Sequence, residues 1–276
     1  MSKPVLYTFG LSVWAAVPEV AIVELGYAPD AVEKKVVNLV EGENFNPEFV
    51  KLNINATLPT LTAGGKNYTN TRDVTRYLID HAPKKVPYGS ASIISRIHED
   101  SLDPNFPLFA SRSEEQIKVN STGFAFTFAN NRQNALLKYS KTPEAAPFKA
   151  FYDAKIVGNG GVLAIFKGEV SDDIKAGFIA QSKKHWENIS SYIATELPAL
   201  LPESGFINGA VPGEDDFHVG VWLARITLVT GGTPAKGGYK VLEKELKGPV
   251  PAKVAAYWEA WTERPGWKQV YAEGLR

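Results

Sequence analysis

Cysteine is absent from this chain of 276 residues. That excludes disulfide frameworks, cysteine-ligated zinc, a cysteine nucleophile and any reductase chemistry run on the protein's own thiols. An excess of either charge is also missing: 30 Lys plus Arg balance 30 Asp plus Glu. A neutral chain has no general attraction to phosphate backbones or anionic lipid, so neither nucleic acid nor a membrane is an expected partner. No apolar run reaches the length of a membrane span, and Met1-Ser2-Lys3-Pro4 leads straight into Val5-Leu6-Tyr7-Thr8-Phe9 without a signal-like apolar stretch. The expectation is a soluble protein of the cytoplasm. What is present is an ordinary globular mixture, 44% hydrophobic and 22% charged, in a length that suits two domains.

The two halves carry different periodicities. Residues 5–9 read as a short buried strand broken by Gly10. From about Ala16 the residues Pro18, Ala21, Ile22 and Leu25 recur at helical spacing, and Gly26 ends the run as a C-cap does. Because proline is tolerated in the first helical turn, Pro18 argues against a much earlier start. Residues 34–40 alternate as a second strand, and Pro47–Leu52 is a short helix with proline at its start. Residues 58–62 and 66–69 flank Gly64-Gly65 as a hairpin, followed by a helix over Thr71–His81. The order βαβαββα predicts an α/β thioredoxin-like domain over residues 1–83. The Pro- and Lys-rich segment 82–87 is the natural boundary. Beyond it, residues 88–276 predict an all-α domain with helices over 93–102, 114–134, 146–156, 172–196, 214–230 and 250–263.

Several residues in the first half have two readings. Pro59, after Leu58, has no N–H for a sheet. A cis bond there would turn the Leu58 backbone toward a ligand that pairs as an added strand. Asn70-Thr71 precedes a helix, where Asn or Thr is the expected cap and where free N–H groups can also hold a carboxylate. Ser12, between the first strand and the first helix, is either a cap or a donor to a thiolate brought by a ligand. Gly158-Asn159-Gly160-Gly161 lacks the Lys-Ser/Thr of a phosphate loop. His98-Glu99-Asp100 and Asp215-Asp216-His218 match no metal spacing, and exposed helix faces account for them better.

Taken together, Leu6-Tyr7-Thr8-Phe9-Gly10-Leu11-Ser12, Asn53-Ile54-Asn55-Ala56-Thr57-Leu58-Pro59-Thr60-Leu61 and Asn70-Thr71-Arg72-Asp73-Val74 resemble the N-terminal domain of cytosolic glutathione transferases. Gly213-Glu214-Asp215-Asp216-Phe217-His218 resembles the capping box and buried Asp of a central helix in that family's second domain. Phe9-Gly10-Leu11-Ser12-Val13-Trp14 and the long second domain are most similar to the fungal-specific class A, serine-type transferases.

The resemblance implies the glutathione transferase fold, glutathione as co-substrate, and no resident cofactor or metal. It implies that Ser12 stabilises the thiolate, that Leu58, beside Pro59, pairs with the cysteinyl backbone, and that Asn70 and Thr71 hold the γ-glutamyl end. Asn44 and Thr57 fall where the family contacts the glycyl carboxylate, and Tyr7 becomes a packing residue. Asn70 stands where the family has an acidic residue, and Gly213 stands where it has Ser or Thr. Trp14, Phe106, Phe109, Phe124, Phe126 and Phe128 are either core or the lining of a pocket for apolar aromatic molecules. The implied activity is attack of the thiolate on aromatic electrophiles or isothiocyanates, or reduction of peroxides. A carrier on the same fold is the alternative, and a twofold homodimer is the expected assembly.

Overall fold

The computed structural model describes residues 3–276. Strands β1 (Val5–Thr8), β2 (Glu33–Val36), β3 (Thr60–Ala63) and β4 (Lys66–Tyr68) form one mixed sheet in the order β2-β1-β3-β4. β1 runs parallel to β2 and antiparallel to β3, with Leu6 opposite Lys34 and Leu61. The β3–β4 turn is Gly64-Gly65, both at positive φ, as such a tight hairpin requires. Helices α1 (Val13–Glu24), α2 (Pro47–Leu52) and α3 (Thr71–His81) complete the thioredoxin-like unit. Strand alternation divides the sheet. Leu6 and Leu61 join Val17, Val20, Val74 and Leu78 of α1 and α3, while Tyr7 faces the other way onto Phe49 of α2, with ring centroids 5.7 Å apart.

The rest is helical: α4 (Ala91–Ile97), α5 (Glu114–Asn120), α6 (Phe124–Tyr139), α7 (Lys149–Lys167), α8 (Asp172–Ser191), α9 (Leu197–Leu200), α10 (Glu214–Val229), α11 (Glu243–Leu246), α12 (Ala252–Thr262) and α13 (Pro265–Val270). The main core runs without a break from Leu6 through α1 to Trp222, Trp258 and Trp261. Its centre is α10, where Gly220 lets Trp261 approach: a Cβ there would lie 2.3 Å from the indole nitrogen. Three carboxylates at the start of α10 tie the molecule together. Glu214 accepts from Arg76 of α3 and from the Gly89 N–H, and Asp215 accepts from the Ser90 N–H. Asp216 accepts from the backbone N–H groups of Ile207, Asn208 and Gly213.

Four expectations need correction. Helix α1 begins at Val13, so Pro18 lies well inside it; Ser12 is the N-cap, and the missing bond to the Trp14 carbonyl is accommodated. Residues 114–134 are not one helix, because Ser121-Thr122-Gly123 closes α5 and opens α6. The helix expected over 146–156 instead runs over Lys149–Lys167 and so includes the glycine cluster 158–161. There Asn159 donates to the Ala129 carbonyl and to Gln133 of α6, both at 2.8 Å. Asp215, Asp216 and His218 are buried rather than on an exposed face: Asp216 closes the start of α10, Asp215 anchors the segment that leads into α4, and His218 meets His98.

Candidate functional site

The C-terminal end of β1, the loop before β3 and the N-terminus of α3 meet at one edge of the sheet. Ser12 is 8% exposed, and its Oγ accepts from the Ala15 N–H at 3.3 Å. Among the described residues nothing accepts the Ser12 hydroxyl hydrogen, so it is free for a ligand. The Leu58–Pro59 bond is cis. The Leu58 side chain packs with Ala15, Val37 and Phe49, and no hydrogen bond among the described residues engages its backbone N–H or C=O. Asn70 caps α3: its Oδ1 accepts from the Asp73 N–H and its Nδ2 donates to the Asp73 carboxylate. Both ends of that amide are therefore engaged. Thr71, the first residue of α3, is buried beside it.

Leu58, Pro59, Asn70, Thr71 and Arg72 line a groove of about 800 Å³ with Trp14, His98 and Asp100. Arg72 brings a cation to the start of α3, where the helix dipole already favours an anion. His98 keeps an open face, while its ring stacks on Trp14 at 3.8 Å and its Nε2 lies 3.0 Å from Nδ1 of buried His218. Burial of that edge lowers the His98 pKa to about 4. His218 is lowered well below the usual imidazole value, first by burial and then by the charges of His98, Arg72 and Arg76. Both rings are thus neutral at pH 7.

A second cavity of about 650 Å³ shares Trp14, Thr57 and Leu58 with the groove and includes Ser12. Its far side is apolar and aromatic: Leu39, Phe45, Leu108, Phe109, Phe128, Leu136 and Val162. The structure therefore brings Ser12, Trp14, Asn44, Thr57, Leu58, Phe109 and Phe128 to one space. Phe106 packs instead on Phe178 and His185, and Phe126 packs in the same neighbouring cluster. Phe124 is 48% exposed and lies tilted against Phe128, with ring centroids 5.7 Å apart. Asn44 is buried; its Nδ2 donates to the Ala56 carbonyl at 2.7 Å and its Oδ1 accepts from Arg132. Sequence reasoning missed Arg132 and Lys155, which also line this cavity. The available signal was Phe128-to-Arg132 spacing on one helix face, which places the guanidinium over Phe128 and Phe45. It also passed over Arg72, and it set His98 aside as an exposed residue.

Comparison with known proteins fits this geometry. Residues 6–99 match the family model for the glutathione S-transferase N-terminal domain. Over its whole length the chain is similar in fold to the β-etherase LigF of Sphingobium sp. strain SYK-6, with a TM-score of 0.57 at 13% identity, covering 99% of this chain and 100% of that one. It is similar to poplar glutathione transferase F1, with a TM-score of 0.55 at 14% identity, covering 99% and 98%. The glutathione transferase URE2P8 of Phanerochaete chrysosporium, solved with oxidized glutathione, aligns with a TM-score of 0.52 at 14% identity, covering 99% and 95%. Residues 6–99 thus match a glutathione S-transferase N-terminal domain, and the whole chain has the fold of the glutathione transferases.

Proposed function

We propose that this chain, a member of the glutathione transferase superfamily, binds glutathione in the groove at the sheet edge and directs its thiolate into the aromatic cavity. The observation that carries this reading is the shared wall: Trp14, Thr57 and Leu58 border both spaces, with Ser12 opening on the second. The Leu58 backbone pairs with the cysteinyl unit. The N–H groups at the start of α3, with Thr71 and Arg72, hold the γ-glutamyl carboxylate. Asn44 and Thr57 border the glycyl end. The free Ser12 hydroxyl donates to the sulfur and lowers the thiol pKa. The co-substrate is an aromatic or other apolar electrophile, an isothiocyanate or a peroxide, which makes the role one of detoxification in the cytoplasm. Within the superfamily, the serine and the long helical half favour the fungal class A type. Residues 1–83 serve glutathione and residues 88–276 serve the co-substrate.

A carrier with little turnover is the second reading. Asn70 favours it, because an amide closed on Asp73 offers less to the γ-glutamyl ammonium than a free carboxylate. Retention on immobilised glutathione followed by a conjugation assay separates the two. Retention with turnover supports the enzyme, retention without turnover supports the carrier, and absence of retention overturns both. We also propose a homodimer, for which light scattering would report twice the chain mass; a monomer mass would refute it.

A further inference from the structure

The aromatic cavity carries a charge pattern that an apolar ligand does not explain. Among its lining residues Arg132 and Lys155 are the charged ones, and no Asp or Glu accompanies them. Arg132 projects from α6. Its Nη1 meets the Leu39 carbonyl at 3.3 Å and Asn44 Oδ1 at 3.4 Å, both neutral acceptors at long distance. Its guanidinium lies over the Phe45 and Phe128 rings at 4.4 and 5.0 Å. Burial alone lowers its pKa, to about 10, with no carboxylate opposing the shift, so it stays charged at neutral pH. Lys155 comes from α7. Its ammonium lies 5.8 Å from the centroid of the Phe151 ring, and its pKa is lowered by desolvation and then by the charge of Arg132. Two cations and no carboxylate line this cavity, an arrangement that an anion would complete.

We propose that Arg132 and Lys155 form a subsite for the carboxylate of an aromatic acid, whose ring lies among Phe45, Phe109 and Phe128. The inference rests on the reading of this cavity as the co-substrate site and narrows its substrate class from apolar aromatics to aromatic acids. Arg132 supplies a planar fork that matches a carboxylate, and Lys155 supplies a mobile point charge from the adjoining helix α7. The glycyl terminus of glutathione is a second source of the same chemistry, since Asn44 and Thr57 border this cavity too.

The test uses 2-naphthoate and its uncharged amide as probes, with calorimetry on the full chain in the absence of glutathione. Wild type should bind the acid more tightly than the amide. Arg132→Gln and Lys155→Gln should each weaken the acid, by about tenfold for the arginine, and leave the amide nearly unchanged. Lys155 is exposed, so its variant keeps the fold even where loss of the guanidinium beside Phe45 does not. Arg132→Lys should restore part of the affinity. A second arm compares glutathione with γ-glutamylcysteine. If the substitutions weaken glutathione selectively and leave naphthoate unaffected, the anion is the glycyl end and the aromatic-acid subsite is overturned. Equal affinity of wild type for acid and amide overturns it as well. Because naphthoate is measured alone, absence of retention on immobilised glutathione defeats the transferase reading without obscuring this result.

Discussion

Replacing Ser12 by Ala removes one hydroxyl with two separable duties. As the N-cap of α1 its Oγ accepts from the Ala15 N–H at 3.3 Å, the long end of the hydrogen-bond range. The loss of that cap is therefore at the low end for such residues, about 0.5 kcal/mol, or a fall in Tm of about 1–2 °C. The second, proposed duty is the donated bond to a bound thiolate, worth about 1.5–3 kcal/mol because the acceptor is charged. Its loss raises the thiol pKa by about 1–2 units. At pH below both values the thiolate fraction falls about 10- to 100-fold. The more basic thiolate is also more nucleophilic, with a Brønsted slope of about 0.4–0.5, so part of this is recovered. The net expectation is a loss of about 3- to 10-fold in conjugation rate at low pH, closing as the pH rises past the higher pKa. Glutathione affinity should change little, since Leu58, Thr71 and Arg72 are untouched. The assay is a pH–rate profile beside an ultraviolet titration of the bound thiolate. An unmoved titration midpoint, or a loss equal at every pH, would refute the role assigned to Ser12.

Three further outcomes follow from other parts of the structure. Glu24 on α1 is 2% exposed and accepts from Arg264 at 2.5 Å and from the Gly266 N–H at 2.8 Å; Glu24→Ala should cost about 3–5 kcal/mol and about 10 °C in Tm by calorimetry, and a fall under about 3 °C would contradict it. His98 and His218 are depressed in the folded state relative to about 6.5 when unfolded, so the unfolded chain binds more protons and stability is lost as pH falls below that value. His218→Gln should flatten the decline in urea midpoint between pH 7 and pH 5, and an unaltered slope would assign the acid sensitivity elsewhere. Without a cysteine the chain has no thiol for a mixed disulfide, so it should not reduce a glutathionylated substrate at a useful rate. Robust reduction in a coupled assay would overturn the serine-type chemistry.

Much of the first half was legible because its elements are short and sharply punctuated. Gly10, Gly26, Pro47 and Gly64-Gly65 each fall at a boundary, and the hairpin and α3 lie where their patterns predict. Helix α1 shows where a local rule loses: Pro18 argued for a late start, but the Ser12 cap and a buried apolar helix outweighed one missing hydrogen bond. In the helical half the long elements were readable and their ends were not, and the short helices α9, α11 and α13 went unseen. Gly158, Gly160 and Gly161 mark a helix end by propensity, yet packing of α7 on α6 carries the helix through them. Ser12 and Asn70 are both caps in the structure, and each also borders a space, Ser12 the aromatic cavity and Asn70 the groove. Arg132 and Lys155 escaped notice because their significance depends on the absence of a carboxylate around them, which spacing within either helix does not reveal.

The glycines of α7 set the mechanical character of the cavity. Gly158 lines it, and Gly160 and Gly161 follow within the same helical turn. Each is about 1 kcal/mol less favourable in a helix than Ala, so the wall that carries Lys155 is the segment of α7 that opens at least cost. The opposite wall, with Ser12 and Trp14 at the start of α1 and Ala56–Leu58 before β3, carries no glycine. The cavity is therefore a rigid anvil facing a compliant jaw. In the proposed function glutathione's sulfur rests against the fixed side, while the other side yields to rings of different thickness. Amide hydrogen exchange along residues 156–163 would slow as a bulky ligand fills the space and stay fast when a small one does.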